Sequence, residues 1–283
     1  YKRYNLRANS EHKMFNGLVT VGEHVGFVYK DSRGMNTGNI YNNNLHGAFS
    51  TSPLVPVYGA DGDYFSTEGS DWNPNDSNPY GTMMMNRYNQ TKATSVDANV
   101  YVQIEPIKNL KFRTVFAINY GGSDYRSFTP IYKFTPQSGN GVTKVNQSDG
   151  SGISLVWTNT LTYDFDIKDH HLSALIGSET TKYDGSYTSS YGVNLTAGFD
   201  DWEHAYVANT NMSHTDRKVN GGPYDPSRGQ SFFARLGWSW KDRYMINATM
   251  RADGSSKFAK GHRWGYFPSV SAGWTLTEED FMK

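Results

Sequence analysis

A chain of 283 residues with 27 basic and 27 acidic side chains carries no net charge at pH 7, which excludes the basic face or stripe of a nucleic-acid footprint. It contains no cysteine, so disulfides, zinc–thiolate sites and thiol nucleophiles are excluded together. No run of about 18 apolar residues occurs, which excludes a membrane-spanning helix, but a mean hydropathy of −0.66 does not exclude a membrane barrel, because half of each barrel strand faces water.

In chain order, the first alternation sets Tyr4, Leu6 and Ala8 against Arg3, Asn5, Arg7 and Asn9 and ends in a polar turn from Glu11 to Gly17. A returning strand from Leu18 to Tyr29 has a mixed phase. Val21, Val25 and Phe27 share a face with Glu23, and Val28 shares the other with His24, so a bulge or a rim position is expected there. From Asp31 to about Lys92 the pattern dissolves into Asn, Gly, Ser, Asp and Pro, a connection too long for a hairpin and of the kind that carries function. Within it, Tyr41 to Phe49 reads as one helical turn. Tyr58, Tyr64, Trp72 and Tyr80 offer rings that either stack on sugars or peptide side chains or pack the loop against itself.

The clearest strand is Thr94 to Glu105. Val96, Ala98, Val100, Val102 and Ile104 point one way, and Ser95, Asp97, Asn99, Tyr101 and Gln103 the other. A short turn at Glu105 to Asn109 leads to a strand with Leu110, Phe112, Phe116, Ile118 and Tyr120 on its apolar face and Lys111, Arg113 and Asn119 opposite. A second polar loop, Gly121 to Gly152, holds Tyr125, Phe128, Tyr132 and Phe134. Ser154 to Phe165, a turn at Asp166 to Asp169, and a strand bearing Leu172, Ala174 and Ile176 follow. A third loop, Tyr183 to Gly229, holds Trp202 and Tyr206, and Asp200 or Asp201 is placed to cap a short helix through Tyr206. From Ser231 to Leu276 three alternating segments run in succession. Trp238, Trp240, Tyr244 and Trp274 lie at their ends, where a ring that is part dry and part wet suits a membrane boundary, and Arg235 and Arg251 lie on their polar faces.

Connections alternate between short and long, and the strands number about nine, an odd count for a closed bacterial barrel. The periodicity alone also fits a soluble surface β-sandwich or lectin-like adhesin with aromatic-rich loops, which stands as the alternative reading. Enzyme constellations are missing: there is no G-x-S-x-G elbow, no phosphate loop and no H-E-x-x-H. His170 and His171 point to opposite faces of a strand and do not chelate one ion, and Asp61-Gly62-Asp63 lacks the remaining ligands of a calcium loop. Glu278-Glu279-Asp280 follows a strand in a turn. No catalytic residue, metal or cofactor is assigned.

Residues 243 to 281, RYMINATMRADGSSKFAKGHRWGYFPSVSAGWTLTEEDF, resemble the signature region of the SusC/RagA family of TonB-linked outer-membrane transporters, in which a strand runs into a DGSS-K/R-F loop and an RWG-x-FPSVSAGW strand. SPLVPVYGADGDY at 52 to 64 and LTYDFDIKDHHLSALIGSE at 161 to 179 are similar to further family segments. The resemblance implies an all-β fold, an antiparallel transmembrane barrel of 22 strands with long extracellular loops, of which residues 1–283 form part. The plug and N-terminal domains are expected outside this sequence. It further implies location in the bacterial outer membrane, energy supplied by TonB through the plug, a SusD-like lipoprotein as lid, and glycan oligosaccharides or peptides as cargo. Candidate substrate or lid contacts are then Tyr58, Tyr64, Trp72, Tyr80, Tyr125, Trp202 and Tyr206, within loops 31–92, 122–152 and 183–229. Candidate lumen or plug-facing residues are Asp97, Asn99, Arg113, Arg235 and Arg251.

Overall fold

Each alternating segment of the sequence becomes a strand of one antiparallel sheet in the computed structural model, which describes residues 1–34, 44–67, 78–135, 138–211 and 217–282. In chain order these are β1 (Lys2–Met14), β2 (Val19–Ser32), β3 (Asn89–Ile107), β4 (Leu110–Thr129), the two-residue strands β5 (Tyr132–Lys133) and β6 (Gly139–Asn140), β7 (Lys144–Ile167), β8 (His170–Val193), β9 (Arg217–Pro223), β10 (Ser227–Trp240), β11 (Tyr244–Ser255) and β12 (Trp264–Trp274). The sheet order is β1-β2-β3-β4-β7-β8-β10-β11-β12, with β9 added to the upper part of β8 and β5 paired to β6 apart from the sheet. Neighbours in space are almost all neighbours in sequence, and the sheet does not close on itself within this chain. Two short helices, α1 (Asn44–Ser50) and α2 (Pro79–Met85), lie in the first long connection.

Register decides which side each residue faces, because a slip of one position turns a whole strand over. Phe27 pairs with Leu6 and Val96, Val96 with Tyr120, and Tyr120 with Ile153. Lower in the sheet, Phe112 pairs with Leu161, Leu161 with Ile176, Ile176 with Ala234, Ala234 with Met250, and Met250 with Pro268. The apolar faces therefore merge into one continuous surface. A strand of about ten residues covers roughly 33 Å, and a tilt of about 40° reduces this to about the 25 Å of a barrel's apolar band. At the short-turn end the surface finishes in stacked rings, Trp240 on Tyr244 at 5.6 Å and Tyr244 on Trp274 at 6.2 Å.

Nothing in the sheet covers this surface. Phe232 is 52% exposed, Leu236 64% and Val270 75%, while the buried hydrophobic side chains are confined to Phe128, Phe134, Val145, Val193, Ala205 and Val207 among the described residues. A water-soluble sandwich would bury these rows against a second sheet. This sheet presents them outward, which is the pattern of a membrane barrel wall.

Several boundaries differ from the sequence reading, for identifiable reasons. β4 runs nine residues beyond Tyr120 to Thr129, β7 begins at Lys144 and β8 reaches Val193, so much of the second and third expected loops is strand. Above the apolar band the outward face no longer meets hydrocarbon, and charges such as Lys92 and Asp124, paired with each other, take its positions. The period of two fades while the backbone ladder continues. The expected turn at Glu11 to Gly17 likewise contracts to Phe15–Gly17, with Asn16 at φ 55° and Gly17 at φ 90°. No bulge interrupts β2, whose pairing to β1 and β3 is unbroken; the irregularity lies in β3 between Ile104 and Ile107. The helix expected through Tyr206 is replaced by a turn and a 3-10 segment at Val207–Asn209. α1 spans the later part of the expected 41–49 turn, whose first three residues lie outside the described ones.

Val270 on the outward face and its neighbour Ser271 on the inward face test this assignment. A lipid-facing arginine near mid-membrane costs about 2–4 kcal/mol and a lumen-facing one much less. Val270→Arg is expected to lower heat-resistant folded barrel in membranes, read as heat-modifiable gel mobility, far more than Ser271→Arg; equal yields would mean the faces are reversed or both wet.

Candidate functional site

Asn78 organises the first connection. It precedes Pro79, a residue whose missing N–H and fixed φ suit a helix start, and its Oδ1 accepts from Gly81 N at 2.9 Å as the cap of α2. Its Nδ2 donates to Val57 O at 2.8 Å, so one side chain, only 3% exposed, ties the helix to the 52–67 segment. Thr67 N donates to Phe134 O at 2.9 Å, which brings in the turn between β5 and β6. Gly81 permits this approach, since a Cβ there would lie 2.7 Å from the Phe134 ring. Asp61 accepts from the Asp63 amide at 3.1 Å, closing a turn in which Gly62 has φ 86°.

These ties gather three of the seven ring residues expected to contact substrate or lid. Tyr58 and Tyr64 stack at 5.5 Å, and Tyr80 meets both edge-on at 6.4 and 6.0 Å. Phe134, a ring of the second loop that was not among the expected contacts, meets Tyr64 edge-on at 6.2 Å. Tyr58 remains 52% exposed and Tyr80 39%, so the cluster presents ring faces and hydroxyls to solvent from a packed base. Trp72 lies outside the described residues.

Trp202 and Tyr206 meet elsewhere, around Arg126. The guanidinium lies 4.0 Å from the Trp202 ring centre and 4.2 Å from that of Tyr206, a cation in contact with two aromatic rings. Tyr88 stacks with Trp202 at 6.2 Å, and Arg33 lies 5.8 Å from the same ring centre. Tyr88, Leu195 and Trp202 pack against Phe128, Val145, Ala205 and Val207, a small core formed where the loop after β8 folds back over the outward face of the extended β4 and β7. Val207 N donates to Gln147 Oε1 at 2.8 Å, fixing that fold-back. Asp201 accepts from the backbone and ring nitrogens of His204, contacts that hold its carboxyl below the usual value. Tyr125 precedes Arg126 and therefore faces the opposite side of the sheet, apart from both clusters.

The five expected lumen residues all lie on the inward face, but they do not form one site. Asp97 is opposite Gly26, and Asn99 opposite His24, which is itself hydrogen-bonded to Asn9. Arg113 covers the Tyr101 ring at 3.8 Å, and the Tyr101 hydroxyl donates to Glu11 Oε2 at 2.6 Å. That ring lies flat over Gly22, where a Cβ would come within 2.4 Å of it. Arg251 pairs with Asp253 at 2.7 Å and Glu179 at 3.4 Å and lies 5.4 Å from the Phe233 ring centre, which in turn lies flat over Gly177. Phe233, the apolar exception on an otherwise polar face, is thus part of a ring-on-glycine contact. Arg235 reaches Asn247 at 3.4 Å.

At the short-turn end, Glu279 receives three donors: the Tyr244 hydroxyl at 2.5 Å, Trp274 Nε1 at 3.0 Å and Arg243 Nη1 at 3.1 Å. They tie the segment after β12 to the ends of β11 and β12. The Tyr244 hydroxyl first, then Trp274 and Arg243, hold the Glu279 carboxyl below its ordinary value of 4.5. A depressed carboxylate stabilises above its ordinary value and stops doing so as pH falls through the lowered one. Trp274 emission is therefore expected to shift in an acid titration at a pH below the usual carboxylate range, and Glu279→Gln to lack that transition; an identical titration in the variant would mean that the latch does not form.

No family model matches the chain. In sequence it is 28% identical over 297 aligned residues to the TonB-dependent receptor P26 of Formosa agariphila, covering 100% of this chain and 27% of that receptor. A stretch of 53 residues, 19% of this chain and 5% of the relative, is 53% identical to the TonB-dependent receptor SusC of Bacteroides thetaiotaomicron. In structure it is similar to a chain of the RagAB peptide transporter, with a TM-score of 0.79 at 19% identity over 99% of this chain and 31% of that one. The chain thus spans about a quarter to a third of the relatives it matches along its whole length. These relatives are named as receptors and transporters, and the sheet matches their barrel wall.

Proposed function

We propose that this chain, a stretch of barrel wall from a SusC/RagA-type TonB-dependent receptor of the bacterial outer membrane, serves TonB-driven import of glycan oligosaccharides or peptides, with a SusD-like lipoprotein closing the outer mouth. The observation that carries this reading is the combination of an uncovered apolar band with a preorganised aromatic cluster, Tyr58, Tyr64 and Tyr80, in the first long connection. Stacking platforms fixed by buried hydrogen bonds lose little freedom on binding, which favours capture of sugar rings or peptide side chains. All of residues 1–283 belong to the barrel in this reading, and the plug lies elsewhere in the protein.

Roles divide by position. Tyr58, Tyr64 and Tyr80 contact cargo or lid, with Trp72 in the same connection as a further contact. Trp202 and Tyr206 act by holding the fold-back after β8, and Tyr125 faces the lumen below it. Asp97, Asn99, Arg113, Arg235 and Arg251 line the inner wall and meet the plug, where their charges are satisfied by its polar groups. The soluble adhesin alternative leaves the outward rows of Leu236, Ile246 and Val270 without a reason to be apolar.

Replacing Tyr58 and Tyr80 together by alanine removes the two exposed platforms, each contributing about 1 kcal/mol, and is expected to weaken cargo or lid affinity by roughly thirtyfold with folded barrel yield unchanged. Binding and uptake at the parental level in the double variant would assign these rings to loop packing alone.

A further inference from the structure

β9 leaves the sheet an open edge at the long-loop end. It continues β10 upward along β8, pairing from Ser186 with Pro223 to Gly192 with Arg217, while β11, the neighbour of β10 on its other side, stops at Ser255 opposite Gly229. β9 has no second partner strand among the described residues. Tyr224 N donates to Gly185 O at 2.9 Å, and in an antiparallel ladder alternate residues turn both backbone groups to the same side. Gly222, Asn220 and Lys218 therefore bond to β8, whereas Val219 and Gly221 turn N–H and C=O, and Pro223 its C=O, to the open side. Pro223, with no N–H to give, stands where an edge strand tolerates proline. Val219 is 70% exposed, and Lys218, Asn220 and Gly221 are exposed beside it.

Such an edge is a template for one more strand. A strand laid there stands in line with β11, above the β11–β12 loop, whose Ser256 N donates to Arg228 O at 2.9 Å and closes the pairing just below β9. Charge decides which strand fits. The edge RKVNGGP at 217–223 and the loop SSKFAKGHR at 255–263 carry Arg217, Lys218, Lys257, Lys260 and Arg263 and no acid, in a chain without net charge. Asp225, between β9 and β10, lies 3.5 Å from Lys257 and offsets one of these cations. A second copy of β9 on the edge would set like charges against each other, and an acidic strand would not.

We propose that the open edge of β9 takes, by strand addition, an extended acidic segment of a second protein docked on the outer face of the receptor. Only a polypeptide completes a backbone ladder, which excludes a glycan as occupant. The added strand lies in the plane of the wall and not across the lumen, so the ladder holds the segment in place; this fits a partner that stays bound, not a cargo that passes through. Phe258, 61% exposed on the loop below, offers the segment an apolar contact at its foot. The proposal takes from the import reading only that β9 lies at the outer mouth.

The test uses the purified full-length receptor and a fluorescent, capped peptide of alternating valine and glutamate, matched to β9 in length, with binding read as anisotropy. The peptide is expected to bind and to slow hydrogen exchange over residues 217–223, while its lysine counterpart and a form N-methylated throughout do not bind. Val219→Pro removes an edge-facing N–H without touching a bond to β8, and is expected to weaken binding about tenfold with heat-modifiable mobility unchanged; Val219→Ala, which keeps that N–H, is expected to bind as the parent does. The N-methylated peptide tests the ladder on the unaltered receptor, whatever the folding of Val219→Pro. Absence of binding, equal affinity for the lysine or N-methylated peptide, parental affinity in a folded Val219→Pro receptor, or energy-dependent uptake of the peptide into cells would each overturn the proposal, and the import reading would still stand or fall on the Tyr58 and Tyr80 variant.

Discussion

The structure depends on one constraint: within hydrocarbon every backbone N–H and C=O must be paired inside the protein, and every residue of a paired row must face the same side. Antiparallel neighbours joined in sequence meet the first requirement with little loop, and alternation meets the second only if the register never slips. The unbroken pairing from β1 to β12, apart from the step between Ile104 and Ile107, is the consequence. Packing between layers, which holds most folds, contributes little here; the small buried core around Val145 forms only where the loop after β8 lies over the upper ends of β4 and β7.

The inward face solves a different problem. It is wet enough to carry Arg113, Arg251, Asp97 and Glu179, yet it must keep long strands rigid without a hydrophobic core. Rings laid over glycines do part of this. Tyr101 covers Gly22 and Phe233 covers Gly177, each ring lying where a Cβ would stand, and each is overlaid by an arginine that an acid holds in place or that the ring itself attracts. The glycine that weakens a strand by lacking a side chain is covered by its neighbour's, as in the aromatic rescue of glycine in designed sheets.

The long-loop end converts this rigidity into a surface. Strands that continue above the band let the loop after β8 fold back against β4 and β7, and Asn78 fixes α2 and the 52–67 segment as a unit. The rings of Tyr58 and Tyr80 are therefore presented from a base whose polar groups are already paired. Loops carry such variable surfaces because the wall has no freedom to vary while the loops do.

By itself the sequence determined the strands within the band, their inward and outward faces, the aromatic finish at the short-turn end and the family resemblance, because alternation between hydrocarbon and water writes itself directly into residue type. It placed Arg113, Arg235 and Arg251 on the inner face for the same reason. The tertiary structure alone decided where strands continue above the band, since there the outward face carries Lys92 and Asp124 and no periodicity remains. It alone brought Tyr58, Tyr64 and Tyr80 together with Phe134, and Trp202 and Tyr206 together at Arg126, because those contacts join residues far apart in the chain through loops whose composition encodes no period. It also decided that Glu23 faces outward without a bulge: the mixed phase of β2 was visible in the sequence, but only the fixed register against β1 and β3 states which side the acid takes.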